Sequence, residues 1–169
     1  RFLETVSSDL ERYLARDAWF QGRTDSPLRS VAYFSPEFGI SEAVPQYSGG
    51  LGVLAGDTAR TCADLALPVA FVSLISRRGY LRQSIDEEGR QVEHADPWTP
   101  EEWTTPLGAM VVLQIEDRPV WVRAWLYRQP DGGDFEVPVI LLDTDVPEND
   151  PRDREITDYL YGGDQEYRL

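Results

Sequence analysis

Two apolar runs frame the most constraining stretch of the chain. Val31-Ala32-Tyr33-Phe34 ends at Ser35-Pro36, and Val69-Ala70-Phe71-Val72-Ser73-Leu74-Ile75 begins after Pro68. Each has the length and the turn-residue boundary of a buried strand. Between them lies the run Ser48-Gly49-Gly50-Leu51-Gly52, and Leu51, Leu54, Ala55, Ala59, Cys62, Leu65 and Ala66 follow at i, i+3 and i+4 spacing. That spacing predicts a helix over about 51–66, stopped by Pro68. Strand, glycine loop, helix, strand is a βαβ unit. Its crossover returns the second strand parallel to the first and places the chain in the α/β class.

The flanking segments add helices and hairpins. Phe2, Leu3, Val6, Leu10, Tyr13 and Leu14 predict a helix over about 2–16, and residues 22–30 read as a polar linker. Asp86-Glu87-Glu88-Gly89 separates strand-like residues 80–83 and 90–93, a predicted hairpin. Glu116-Asp117-Arg118-Pro119 separates 110–115 from 120–128, a second one, in which Trp121, Arg123, Trp125 and Tyr127 alternate with Val122, Ala124 and Leu126. After the turn Pro130-Asp131-Gly132-Gly133, residues 137–142 form a further strand, with Pro138 marking a sheet edge or a strand start. Residues 143–153 read as an acidic loop and 156–161 as a short helix. Gln165-Glu166-Tyr167-Arg168-Leu169 reads as one opening turn of another helix, which is not stable alone, so the expectation is a fragment of a longer chain. The sheet is therefore expected to be mixed, with hairpin insertions.

What the composition lacks narrows the chemistry. All 16 basic residues are arginine, so the chain can form no Schiff base with pyridoxal phosphate or a carbonyl substrate, and it supplies no P-loop lysine. Cys62 and His94 each stand alone. That excludes an intrachain disulfide, a cysteine-built metal site and a zinc site with two or three histidines, and no metal is expected. The net charge of -14 argues against sequence-independent nucleic-acid binding. No apolar run approaches a membrane span and no secretory leader is visible; a soluble, cytoplasmic domain is the expectation.

The glycine loop is the clearest candidate for chemistry. Glycine lets a backbone approach a ligand closely, and the first turn of a helix presents unpaired N–H groups and partial positive charge. An acidic protein that holds phosphate needs such a local device against its own field. The loop matches neither the dinucleotide fingerprint nor the P-loop. On the glycines alone two readings stand: a phosphate or sugar-phosphate site at the amides around Gly50 and Leu51, and a tight turn without ligand, the commoner case.

Several motifs in one order carry a resemblance. Tyr33-Phe34-Ser35-Pro36-Glu37-Phe38-Gly39-Ile40 is followed by Tyr47-Ser48-Gly49-Gly50-Leu51-Gly52-Val53-Leu54-Ala55-Gly56-Asp57. Asp64-Leu65, Leu67-Pro68, Arg77, Gly79-Tyr80-Leu81-Arg82-Gln83 and Gly89-Arg90-Gln91-Val92-Glu93 come next. Leu141-Leu142-Asp143-Thr144-Asp145-Val146-Pro147-Glu148-Asn149 and Leu160-Tyr161-Gly162-Gly163-Asp164 complete the series. Over residues 31–169 the chain resembles the N-terminal region of α-glucan (glycogen, starch, maltodextrin) phosphorylases, most closely the bacterial short-type branch, with 1–30 as a leading helix and linker.

The resemblance implies a glycosyltransferase-B fold, two Rossmann-like domains facing across a cleft, of which this chain supplies part of the N-terminal one. It implies reversible phosphorolysis of α-1,4-glucan by inorganic phosphate to glucose 1-phosphate, with retention at the anomeric carbon. It also implies pyridoxal phosphate, carried on a lysine outside this chain. By position, Gly50 matches the glycine whose amide faces the phosphate region near that cofactor. Gly49 and Gly52 match neighbours that shape the turn, and Leu51 matches the residue against the glucosyl unit. Asp164 matches the aspartate of the loop gating the substrate site, and Glu37 takes a structural role. Departures fall at Gly39, where animal enzymes have a tyrosine near the cofactor, at Ser76 in place of a tyrosine, and at Phe71 and Ser73 in place of glycines. The chain by itself is expected to be inactive, to bind no cofactor covalently, and to self-associate through apolar surface left for its parent chain.

Other residues admit plainer readings. His94 reads as an exposed loop residue. Arg77, Arg78 and Arg82 fit a phosphate or glucan edge and solvated strand positions equally. The acidic run Asp143, Asp145, Glu148, Asn149, Asp150 and Asp153 lacks calcium-loop spacing and reads as a solvated loop. Trp98, Trp103, Trp121 and Trp125 are candidates for stacking on sugars, although Trp121 and Trp125 fit packing against the rest of the protein or a second copy better. Cys62 reads as a small core residue. Two rival functions are a glycogen or starch synthase and a non-catalytic glucan-binding module. The synthase loop carries a lysine where this chain has Tyr47.

Overall fold

A computed structural model describes residues 1–127 and 137–161. The βαβ unit is present: β1 (Val31–Phe34), α2 (Gly50–Asp64) and β2 (Val69–Leu74) follow α1 (Phe2–Leu14). β1 and β2 pair in parallel, with Val31 opposite Val69 and Phe34 opposite Val72. Then come β3 (Arg82–Ile85), β4 (Gln91–His94), α3 (Pro100–Trp103), β5 (Thr104–Ile115), β6 (Arg118–Tyr127), β7 (Val139–Asp143) and α4 (Pro151–Arg154). The main sheet runs β1-β2-β7-β6-β5, and β3-β4 is a separate hairpin. β2 and β7 pair in parallel, whereas β7-β6 and β6-β5 are antiparallel. The fold is α/β with a mixed sheet.

The core forms where α2 meets this sheet. Ala55, Ala59 and Cys62 of α2 join Phe38, Ile40, Val44, Phe71, Ile75, Trp125, Tyr127, Val139 and Leu141 in one buried cluster. Small residues on the inner face let the helix lie close. A Cβ on Gly56 would collide with the Gly39 carbonyl, and the Gly39 N–H donates to the Gly52 carbonyl at 2.7 Å. Burial pushes the Cys62 thiol above its ordinary pKa, as a core cysteine requires.

Several expectations change here. β1 is not buried: it lies at the sheet edge, and Phe34 is 72% exposed. Only its Tyr33 ring reaches the core aromatics, 5.2 Å from Phe71 and 6.0 Å from Phe38 between centroids. β7 is central, so Pro138 marks a strand start and not a sheet edge. Pro138 stands just before it and contributes only its carbonyl, which accepts the Phe71 N–H at 2.9 Å, so its missing donor costs nothing. The predicted helix over 156–161 is absent. The helical turn lies earlier, at α4, where Asp150-Pro151 supplies a proline at the first helical position. Further on, the Thr157 hydroxyl is engaged by the Thr144 N–H at 3.0 Å. The short α3 was not expected.

Both hairpins form with shifted limits. The first turn lies at residues 86–89 as expected, with Asp86 accepting the N–H groups of Glu88 and Arg90, while the strands on either side sit later, at β3 and β4. The second hairpin turns on Glu116 and Asp117 alone, both with positive φ (48° and 63°). That is the twist a two-residue hairpin turn needs. β5 starts well before residue 110, with a register irregularity between Pro106 and Met110. The turn at 130–133 and the helical reading of 165–169 lie outside the described residues. α1 forms close to its predicted limits, but none of its residues is buried.

Candidate functional site

The glycine loop opens α2 at the sheet's C-terminal side. Gly49 is the N-cap, in extended conformation, and among the described residues no side chain caps the helix. The N–H groups of Gly50, Leu51 and Gly52 therefore have no partner within the helix. The glycines divide into two kinds. Among the described residues, beyond the chain neighbours and the helix's own backbone, no heavy atom lies within 4 Å of where a Cβ would stand on Gly49 or Gly50, and Leu51 is 72% exposed. Gly52 is buried: a Cβ there would collide with Tyr47 and lie 2.9 Å from Glu37 Oε2. The structure thus brings Gly49, Gly50 and Leu51 together as an open, uncapped helix start, while Gly52 packs underneath. Asp164 lies outside the described residues.

Glu37 fixes the loop from below. It is 2% exposed, and its Oε2 accepts the Ser48 N–H at 2.7 Å and the Ser48 hydroxyl at 3.3 Å. Its Oε1 accepts the Tyr161 hydroxyl at 2.9 Å. That hydrogen bond, then burial, raises the Tyr161 phenol above its ordinary pKa. Tyr161 also stacks edge-on against Tyr80, centroids 6.0 Å apart. The structural role read for Glu37 holds, but Tyr161 was missed as its partner. Nothing local in the sequence links the two residues.

A second buried network lies at the end of β7. Asp143 is fully buried and takes a bidentate pair from Arg77, Nη2 to Oδ2 at 2.5 Å and Nε to Oδ1 at 3.2 Å. The Trp125 indole donates to Oδ2 at 2.8 Å and the Asp145 N–H to Oδ1 at 2.9 Å. Burial works against the Arg77 charge, but Asp143 and then Asp145 outweigh it, so the guanidinium holds its proton more firmly than usual. Asn149 is buried as well. Its amide accepts the Trp121 N–H and donates to the Trp121 and Thr144 carbonyls, each at 2.7 Å, beyond the point where β7 pairs with β6. Asp153 is buried against Arg118, with contacts from 2.9 to 3.1 Å.

These contacts correct the solvated-loop reading for Asp143, Asn149 and Asp153, which bind the loop to the sheet. Arg77 is committed to Asp143, whereas Arg78 lies near the surface with Asp158 and Tyr159. Trp125 is not held in reserve for a partner: it is 2% exposed and sits in this chain's own core. Trp98 packs on that core too, its indole donating to the Ser76 carbonyl at 3.0 Å. His94 is exposed but lies in β4, paired with Arg82, and not in a loop; it is 2.8 Å from the Ser84 hydroxyl. Among the described residues, Gln46 Oε1 and Ser76 Oγ are buried without a partner.

An open apolar cleft of about 210 Å³ lies beside Phe34, Ser35, Pro36, Val72, Ser73, Leu74 and Leu142. It sits at the C-terminal ends of the parallel strands, where open α/β sheets receive ligands. It does not include Gly49 to Gly52. Among the described residues no helix is long and apolar enough to cross a membrane.

Comparisons with known proteins extend the motif resemblance. Residues 1–44 match a family described as "Protein of unknown function (DUF3417)". The chain is 39% identical over 180 aligned residues to a glycogen phosphorylase of Mycobacterium tuberculosis, covering 99% of this chain and 20% of the relative. It is 38% identical to a maltodextrin phosphorylase of Thermococcus litoralis (98% and 20%) and 32% identical to a glycogen phosphorylase of Aquifex aeolicus (97% and 24%). The similarity therefore reaches back through α1, beyond the motif-bearing stretch 31–169. Along nearly all its length the chain is related to the glycogen and maltodextrin phosphorylases, and it spans about a fifth to a quarter of the length of those relatives.

Proposed function

We propose that this chain is part of the N-terminal, Rossmann-like domain of a glycosyltransferase-B enzyme that phosphorolyses α-1,4-glucan reversibly, yielding glucose 1-phosphate. Residues 1–30 are its leading helix and linker, and 31–169 the region that carries the phosphorylase motifs. The observation that carries the reading is the open start of α2. Gly49 and Gly50 leave backbone room for an anion, and the Gly50 and Leu51 amides have no competing side-chain cap. In a protein of net charge -14, amides at a helix N-terminus are the means of holding phosphate.

In this reading the Gly50 and Leu51 amides stabilise the phosphate as the glycosidic bond breaks. A phosphate oxygen bonds to the anomeric carbon, and the departing sugar oxygen takes the phosphate's proton. A preorganised donor of this kind is worth about 3 kcal/mol in other enzymes. Gly49 and Gly52 shape the turn, Leu51 packs against the glucosyl unit, and Asp164 belongs to the loop over the substrate. The absence of lysine means that no residue here anchors pyridoxal phosphate covalently, while the exposed amide of Gly50 fits a phosphate group facing it. When bound to the parent polypeptide, that cofactor would supply a second phosphate to assist the proton transfer. The parent enzyme would act in the cytoplasm, and as a homo-oligomer.

The test is glucose 1-phosphate release from maltodextrin by the full-length polypeptide carrying this chain. Release that depends on inorganic phosphate is expected. Chain extension from a nucleotide sugar alone would assign a synthase instead.

A further inference from the structure

We propose that Glu37 is a positioning residue for the glycine loop, held in that role by the Tyr161 hydroxyl, so that a buried negative charge orders an anion site without competing for it. The inference rests on the reading of Gly49, Gly50 and Leu51 as a phosphate-binding loop.

A carboxylate beneath a helix N-terminus is a natural rival of any incoming anion, because both seek the same unpaired amides. Here the two oxygens of Glu37 are committed elsewhere. Oε2 is turned to Ser48, just ahead of the N-cap, through both its N–H and its hydroxyl. Oε1 is held by Tyr161, which is 124 residues away in sequence. Among the described residues no side chain caps the Gly50 and Leu51 amides, while the loop that carries them is pinned through Ser48. Tyr161 also meets Tyr80 edge-on, and the neighbouring Leu160 N–H donates to the Gly79 carbonyl at 3.3 Å, so the far end of the tether is tied to the segment before β3. Without the Tyr161 hydroxyl, a carboxylate that is 2% exposed loses the donor to its Oε1, and its hold on Ser48 loosens.

The test uses the full-length polypeptide with Tyr161→Phe, Glu37→Ala and Glu37→Gln. Amide hydrogen exchange is followed over the peptide spanning residues 46–54, and the KM for inorganic phosphate is measured separately from kcat. Tyr161→Phe keeps the ring contact with Tyr80, and so tests the hydroxyl with the packing intact. Faster exchange at Ser48 to Leu51 is expected in Tyr161→Phe and Glu37→Ala. The phosphate KM should rise roughly three- to tenfold, the net worth of about one ordinary hydrogen bond, with kcat changed much less. Glu37→Gln, which keeps an acceptor for Ser48 and a partner for Tyr161, should restore slow exchange. Unchanged exchange in Tyr161→Phe overturns the inference, whether or not the enzyme phosphorolyses glucan. Faster exchange in a protein whose wild type shows no phosphate-dependent activity overturns the functional reading instead, and with it the anion role of the tether.

Discussion

Gly49 and Gly52 stand in one loop, yet a methyl group on each meets different surroundings. At Gly49 the backbone is extended and the space is open, so Gly49→Ala should change stability by less than about 0.5 kcal/mol. At Gly52 the new atom would press into Tyr47 and against the Glu37 carboxylate, so Gly52→Ala should cost about 1–3 kcal/mol. Urea denaturation of the two variants separates these outcomes. Tyr161 offers a second test at this scale. Its phenol faces the Glu37 carboxylate and Tyr80, and its pKa is raised, first by the Glu37 hydrogen bond. A raised folded-state pKa contributes stability that is complete below the unfolded-state value and is lost as pH rises through the folded one. The loop should therefore loosen only in the alkaline range. An absorbance titration should show one phenol ionising late in the wild type and earlier in Glu37→Gln, with Tyr161→Phe as the blank.

Secondary-structure elements are joined by charges that the sequence presents as mere loop polarity. β2 ends close to Arg77 and β7 ends in Asp143, and their bidentate pair fastens the two strand ends together. Arg77→Met would leave a fully buried carboxylate without its cation, a loss of about 3–5 kcal/mol that chemical denaturation would record. Arg118 at the start of β6 plays the same part toward α4. Its hydrogen bonds to Asp153 hold that carboxyl below the usual carboxylate range, against the opposing effect of burial. A depressed pKa contributes stability that is present above the unfolded-state value and lost as pH falls through the folded one. Arg118→Gln should therefore move the onset of acid unfolding to higher pH, as read by circular dichroism. These clasps escape a reading by periodicity because runs such as Asp143 to Asp153 carry no sign of which carboxylates turn inward. β1 misleads in the opposite direction: its four apolar residues suggest burial, but at the sheet edge they are exposed.

For the whole molecule, a strong negative charge opposes unpaired apolar surface. α1 has no buried residue, and β5 is an edge strand of twelve residues without a single charge. Natural edges are usually guarded by charge or proline, and here only Pro106 interrupts the strand. With a net charge of -14 holding copies apart, self-association of this chain should grow with added salt. Light scattering at low and high ionic strength would show it, and Val111→Lys on the exposed edge should reduce it; a monomer at every salt concentration would contradict the expectation. The βαβ unit, the parallel pairing of β1 with β2, both hairpins and the glycine loop were legible from the sequence, because each depends on periodicity or turn chemistry within a short span. The sequence likewise determined that no lysine of this chain can hold a cofactor. Only the tertiary structure decided which glycines face outward, which acids are buried, where Trp125 packs, and that Tyr161 meets Glu37. Those outcomes depend on contacts between residues far apart in the chain, and no local pattern encodes the distance between them.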